Sequence, residues 1–300
     1  MMTTALLLID IQNDYFDGGK CPLVGMDVAA KHSVNLLDAF RESSLPVIHV
    51  RHEFLDTETA FFSAGSEGAL IHPLLAPAQG EPVVVKHQIN SFKGTPLVDL
   101  LEERGVKNVV IAGAMTHMCV DAVTRAAADL GYVCSVAHDA CATMDVEFEG
   151  VKVEAAQVHA AVMAALDFAY AEVRSTQVLI EEVLLINAVK MASERWKSAF
   201  NAGNAAGCAA EYESNAVMQA KPFGVYTGAD EVRGFWEKLI ADGFSDVEYI
   251  DPVITVLDHQ QVVITSGWKM NKAGGVIHKE LWVLQEDGSA KLREDDFEAQ

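Results

Sequence analysis

The sequence predicts two domains: a doubly wound α/β fold with a mostly parallel, Rossmann-like sheet over residues 1–180, and an α+β fold over residues 183–300. Three observations predict it. At 300 residues the chain exceeds the roughly 100–200 residues of a usual single domain. In the first half, short continuous runs of Val, Ile and Leu alternate with amphipathic segments, as expected for strands buried on both faces and joined through helices. From residue 181 the order changes: helical patterns come first and alternating strand patterns follow, as in a module of helices on an antiparallel sheet.

Taken in order, the run ALLLIDI at 5–11 predicts the first strand and the amphipathic stretch 27–43 the first helix. A strand at 46–50 follows. The rhythm then breaks over 51–82, which predicts a loop or lid over one end of the sheet. Strands at 83–86, 108–112, 133–137 and 173–179 alternate with helices at 95–104, 117–130 and 150–169. Gly105 and Gly131 stand where helix C-caps belong. In the second half, 181–200 and 231–243 predict helices, and 247–258, 261–270, 275–285 and 290–297 predict strands. Asp287 and Gly288 form a hairpin turn signal. No low-complexity linker separates the halves, so the junction near 180 is expected to be helical or tightly packed.

The formal charge of −21 is spread over both halves, which leaves no basic patch for nucleic acid. No uncharged stretch is long enough to span a bilayer, and the N-terminus reads as a buried strand rather than a leader. Five cysteines at 21, 119, 134, 141 and 208, with no C-x-x-C spacing, indicate neither a disulfide framework nor a zinc knuckle. A cytoplasmic protein is expected.

In open α/β sheets, ligands bind beyond the carboxyl ends of the strands. Three chain-distant residues stand there: Asp10 closes ALLLI, Lys86 closes PVVV, and Cys119 enters a helix pattern after NVVIAGA. A thiol of ordinary pKa, about 8.5, is mostly protonated at neutral pH, but a helix N-terminus and a neighbouring ammonium each favour the thiolate. Lys86 would supply the ammonium. Asp10 is placed to take the thiol proton and return it to a leaving amine, and the turn before Cys119 offers amide donors for an oxyanion. Together these groups suit acyl transfer from a C–N bond. Taken singly, each has a structural alternative: Cys119 as a small core residue, Asp10 as a turn cap, Lys86 as a solvated strand end. Their coincidence at one sheet edge favours chemistry.

Residues 1 to about 180 resemble the isochorismatase-like cysteine hydrolases, through LLLIDIQNDYF, VVVKHQINSFKGTPL, VVIAGAMTHMCVDAVTRAAADLGY and VAHDACATMD in the family's order and spacing. The resemblance implies an Asp–Lys–Cys triad at Asp10, Lys86 and Cys119. It further implies a non-proline cis peptide at Ala114–Met115 and an oxyanion hole made by the Met115 and Cys119 amides. Isochorismatases that cleave a vinyl ether do not need the cysteine, whereas nicotinamidases, carbamoyl and ureido amidohydrolases and streptothricin hydrolase-like enzymes do. Cys119 therefore points to C–N hydrolysis through a thioester. Nicotinamidases carry a metal at an Asp-x-His pair after the second strand; here VIHVRHEF puts His52 and Phe54 at those positions. No metal and no cofactor are expected, and His49, His52 and His72 are expected to be surface or lid histidines. Gln12, Phe16, Asn90, Phe92 and His117 lie beside the triad positions in sequence and are the candidate substrate-binding residues.

Residues 183–300 resemble the NTF2-like or SnoaL-like cone fold, through RWKSAFNAGNAAGCAAEY, VYTGADEVRGFWEKL and the four late strand patterns. The resemblance implies helices and a curved sheet around an apolar cavity, with Tyr226, Trp236, His278 and Trp282 as the candidate cavity residues. On a regular strand, positions 278, 280 and 282 share one face. This half is expected to bind a ligand or assemble subunits, and both resemblances imply a homodimer or homotetramer. The whole predicts a hydrolase of a small amide, carbamate or ureide, with neither nucleic acid nor membrane as partner. Its rivals are vinyl ether hydrolysis of isochorismate and a ligand sensor whose hydrolase half is vestigial.

Overall fold

The computed structural model describes residues 3–56 and 59–300. They divide into two compact units at residue 180. The first contains β1 (Thr3–Ile9), α1 (Met26–Glu42), β2 (Val47–His52), β3 (Val83–Lys86), α2 (Leu97–Glu102), β4 (Val106–Ala114), α3 (Asp121–Asp129), β5 (Val133–Ala142), β6 (Val146–Phe148), β7 (Val151–Val153), α4 (Ala155–Ala169) and β8 (Glu172–Arg174). Six strands form a parallel sheet in the order β3-β2-β1-β4-β5-β8, and β6 and β7 make a separate hairpin. From β1 the chain steps outward to β2 and β3, then returns to lay β4 on the other side of β1. That reversal opens a crevice at the carboxyl ends of β1 and β4, where α/β sheets hold ligands.

Burial on both faces explains the unbroken apolar run of β1, which is buried from Ala5 to Ile9. Ala5, Leu7 and Ile9 join a core with Leu97 and Leu101 of α2, Val123 of α3 and Leu166 of α4. Leu6 and Leu8 point to the other face, where α1 turns Ala30, Leu36, Leu37 and Phe40 inward. Each such leucine contributes about 1.5–3 kcal/mol by leaving water. Gly113 of β4 pairs with Ile9 at φ +129°, and a Cβ there would lie 2.0 Å from the Ile9 carbonyl oxygen. Only glycine lets β4 close against β1 at the crevice.

Two expected elements change. The strand expected at 173–179 ends at Arg174, because α5 (Thr176–Asn201) already begins at Thr176. Asp139 of β5 accepts both the amide and the hydroxyl of Thr176 at 2.7 Å, giving a helix start its missing acceptor. The helix expected from 150 begins only at Ala155, whose amide donates to Asp145 Oδ1 at 2.8 Å, after the β6–β7 hairpin. The stretch after β2 carries two short 3-10 turns, Glu67–Ala69 and Pro73–Leu75.

The second unit contains the rest of α5, α6 (Ala205–Ala210), β9 (Tyr212–Lys221), β10 (Gly224–Thr227), α7 (Gly228–Ala241), β11 (Glu248–Val256), β12 (Gln261–Lys269), β13 (Gly274–Leu284) and β14 (Ala290–Ala299). Its sheet is mixed, ordered β10-β9-β14-β13-β12-β11, with only the β14–β9 pair parallel. Trp196 and Phe200 of α5 and Phe235 and Trp236 of α7 pack on the sheet residues Trp282 and Phe297.

A β-bulge corrects the expectation for His278. Ile264 pairs with Glu280 and Ser266 with Ile277, so β13 carries one extra residue between them. The extra residue inverts the alternation: Ile277, Glu280 and Trp282 are buried, while His278 points outward to Glu298 at 3.1 Å. Trp282 is fully buried core that donates to Glu280 at 3.0 Å. Trp236 lines a narrow cleft and Tyr226 a wider pocket beside it. No helix among the described residues is long and apolar enough to cross a membrane.

Candidate active site

Asp10 leaves β1 at φ +50°, a left-handed conformation that Asp tolerates better than most residues. Its amide donates to the Val50 carbonyl of β2 at 2.9 Å. Lys86 ends β3 opposite His52, the last residue of β2. Its Nζ lies 2.9 Å from Asp10 Oδ2, 3.1 Å from Cys119 Sγ and 3.2 Å from His52 Nδ1, with the Gln88 and Ile89 carbonyls at 3.3 and 3.2 Å. Cys119 is reached from β4 through a cis Ala114–Met115 peptide and one π-helical turn, Thr116–Val120, that leads into α3. Asp10, Lys86 and Cys119 are all nearly or fully buried.

The three groups set one another's protonation. Burial raises the Asp10 carboxyl, and the Lys86 ammonium pulls against it. Burial works against charge on Lys86, but Asp10 and Cys119 outweigh it and its pKa rises, so it stays an ammonium. Burial first, then the Asp10 charge, push the Cys119 thiol well above its ordinary value despite Lys86. A second negative charge beside Asp10 is disfavoured, which opposes the pull of Lys86 toward the thiolate. Asp10 Oδ1 accepts no hydrogen bond among the described residues, and a carboxylate oxygen of Asp10 lies within 4.8 Å of Cys119 Sγ. The cluster can therefore receive the thiol proton as the sulfur reacts.

Asp10, His52 and Cys119 present a carboxylate oxygen, an imidazole nitrogen and a sulfur within 4.8 Å of one another, a donor set of the kind zinc accepts. Lys86 Nζ stands within 3.2 Å of all three and is already the cation of the cluster. These residues do not fit a metal.

His49 and His52, expected at the surface or on a lid, are buried on β2. Strand positions buried on both faces leave them no route to water. His49 Nε2 lies 2.9 Å from Glu81 Oε2, and the Arg41 guanidinium on Glu81 holds that carboxyl down to about 2. Burial, then the Lys86 charge, hold His52 down to about 4, so it is neutral at neutral pH. Its ring packs 4.3 Å from that of Phe54. His72 does lie in the segment after β2, where it stacks on Phe16 at 3.7 Å.

Gln12, a substrate-binding candidate, commits its side-chain amide to the backbone. Its Nε2 donates to the His52 and Ala69 carbonyls at 2.8 Å, and its Oε1 accepts the His52 amide at 2.7 Å. It ties the segment after β2 to the sheet. Asn90 Oδ1 accepts the Phe92 amide at 2.9 Å, Phe92 packs on the core and stacks 6.3 Å from Tyr132, and His117 Nδ1 meets Thr143 Oγ1 at 2.5 Å. Sequence reasoning missed Asp14 and Tyr15. Asp14 Oδ2 accepts the Phe62 amide at 2.7 Å, with Gly68 leaving it room: a Cβ there would lie 2.2 Å from Oδ1. Tyr15 packs 4.5 Å from Phe62. Only QNDYF, a buried acid beside aromatics, hinted at this, and its partner lies 48 positions on.

The isochorismatase domain profile matches residues 4–169. The chain is 47% identical over 180 residues to the uncharacterized isochorismatase family protein YddQ of Bacillus subtilis (strain 168), covering 60% of this chain and 100% of that one. It is 28% identical over 182 residues to the ureidoacrylate amidohydrolase RutB of Stutzerimonas stutzeri (strain A1501), covering 48% of this chain and 72% of that one. A crystal structure from Oleispira antarctica, described as of the isochorismatase hydrolases, is 62% identical with a TM-score of 0.58 and covers 59% of this chain and 96% of that one. Through this domain the chain belongs to the isochorismatase family of hydrolases.

Proposed function

We propose that the first unit hydrolyses a C–N bond of a small amide, carbamate or ureide through a thioester on Cys119. The observation that carries this reading is the buried meeting of a carboxylate, an ammonium and a thiol at the crevice. As Cys119 Sγ attacks the substrate carbonyl, Asp10 accepts its proton, and Lys86 offsets the negative charge shared by Asp10 and sulfur. The Met115 and Cys119 amides receive the oxyanion. Collapse breaks the C–N bond, and Asp10 returns the proton to the leaving nitrogen. Water then gives a proton to Asp10 and attacks the thioester; expulsion of Sγ, with that proton, restores the thiol. The relation to RutB, an amidohydrolase, supports the bond class.

The test is an ammonia-release panel of amides, carbamates and ureides on the full chain, with isochorismate in parallel. Cys119→Ala is expected to abolish ammonia release without altering the thermal melt. Isochorismate turnover that survives in Cys119→Ala, with no amide turned over by the wild type, overturns the C–N reading. For the second unit we infer an NTF2-like cone, supported by three helices packed with a mixed sheet around an apolar core. Five unpaired thiols fit a reducing cytoplasm, and a homodimer or homotetramer is the assembly to test by light scattering.

A further inference from the structure

The first unit carries a surface groove that the hydrolytic reading leaves without a role. It measures about 480 Å³ and is walled by the start of α1 (Val28, with Val24 just before it), the end of β5 and the start of α4 (Ala155). His32, His138 and His159 stand in its walls together with one acid, Asp139. That acid is already engaged. Its Oδ1 accepts the Thr176 amide and hydroxyl at 2.7 Å, and its Oδ2 lies 3.6 Å from His32 Nδ1. The groove therefore joins aliphatic surface to three imidazoles, the side chains that a carboxylate partner charges near neutral pH.

The β6–β7 hairpin is the second observation. It leaves the chain just after Thr143 and returns just before Ala155, both of which line the groove. Glu149 at φ +49° and Gly150 at φ +81° close it in a two-residue turn, across which Phe148 pairs with Val151. Among the described residues the hairpin pairs with no other strand. A lone two-stranded hairpin is marginal in water, yet this one holds an aromatic ring at its tip, 76% exposed. Its charges are Glu147 and Glu149 against Lys152, which lies 3.9 Å from Glu147.

Tip and groove are complementary in shape and charge: an aromatic ring for the exposed Val24 and Val28, carboxylates for the imidazoles. Within one chain they do not cover each other, since Phe148 and Val28 both stay exposed. A second copy supplies both halves at once. Hairpin and groove adjoin on one unit, so a two-fold axis can set each hairpin into the groove of the other copy, a self-complementary contact that closes. We propose that the β6–β7 hairpin docks in this groove of a second copy, with Phe148 against Val24 and Val28 and the Glu147 and Glu149 carboxylates facing the three histidines. The inference rests on the homo-oligomer proposed above and gives it a surface.

Sedimentation velocity of the full chain is the test. The wild type is expected to run as a dimer or a larger even-numbered assembly. Phe148→Asp removes the anchor and is expected to weaken association at least about thirtyfold, halving the assembled mass. Glu147→Lys/Glu149→Lys, which reverses the charge at the tip, is expected to weaken it at least about tenfold. All three replaced residues are exposed, so both variants should keep the wild-type far-ultraviolet circular dichroism. Hydrogen exchange then locates the contact: at equal protein concentration, amides of residues 24–28 should exchange faster in Phe148→Asp than in the wild type. A monomeric wild type overturns the assembly and this surface together. An oligomeric wild type overturns the surface alone if Phe148→Asp keeps the wild-type mass, if the charge-reversed variant associates as tightly, or if the faster exchange is confined to the second unit.

Discussion

One ammonium holds the site's charge balance, and removing it separates stability from chemistry. Lys86→Met leaves the Asp10 carboxyl buried with no cation within bonding distance, and breaking a fully buried pair from one side costs about 3–5 kcal/mol. Urea denaturation of Lys86→Met is expected to show a loss of that order. The double variant Asp10→Asn/Lys86→Met should regain much of it, because neither charge is then left alone. Both variants should lack ammonia release. If the single and double variants prove equally unstable, Lys86 acts on the fold through packing and not through the ion pair. Cys119→Ser tests the thiol separately. A hydroxyl beside Asp10 keeps the geometry but ionises far less readily than a thiol, so amide turnover should fall at least about a hundredfold while the melt holds.

Among the elements, β2 and β4 carry the strongest constraints, and they also show where sequence reading stops. His52 ends β2 as a buried neutral imidazole held down to about 4 from an ordinary 6.5. The unfolded chain takes up this proton near pH 6.5 and the folded chain only near 4, so its contribution to stability is full above 6.5 and is lost as pH falls toward 4. The drop in urea midpoint between pH 7 and pH 5 should therefore be smaller in His52→Gln than in the wild type. Gly113→Ala on β4 would drive a Cβ into the Ile9 carbonyl, one residue before Asp10. It should cost more than about 1 kcal/mol and depress turnover further than the stability loss explains. The strand ends that present Asp10 and Lys86 were legible because apolar runs stop visibly at polar residues. The burial of His49 and His52 was not, since histidine in a two-sided strand looks like histidine at a surface until the sheet order is known. The bulge in β13 was equally hidden: period-2 reading puts 278, 280 and 282 on one face, and one extra residue breaks that count. β9 escaped because its inward positions include Ala216 and Ala220, which carry little strand signal.

At the scale of the whole molecule, two separate hydrophobic cores imply two folding events. One core contains β1, β4 and the helices α2 to α4; the other contains parts of α5 to α7 and the mixed sheet. YddQ is matched over its entire length by 180 residues of this chain, so a chain without the second unit exists in the family. Every tryptophan lies in the second unit, which makes the two events separable by eye. Tryptophan emission follows only the second unit, whereas far-ultraviolet circular dichroism follows both. If the cores are independent, urea transitions from the two probes will not coincide, and circular dichroism will show a step that emission lacks. Coincident single transitions would instead mean that α5, which begins in the first unit and continues into the second, couples them. The same logic fixes what truncation should do: residues 1–180 alone should release ammonia with a kcat/KM within about twofold of the full chain, a difference under about 0.4 kcal/mol in transition-state terms. A loss of tenfold or more in a truncated chain that still melts cooperatively would mean that the second unit contributes to the chemistry, and the Asp10, Lys86 and Cys119 cluster would then be only part of the site.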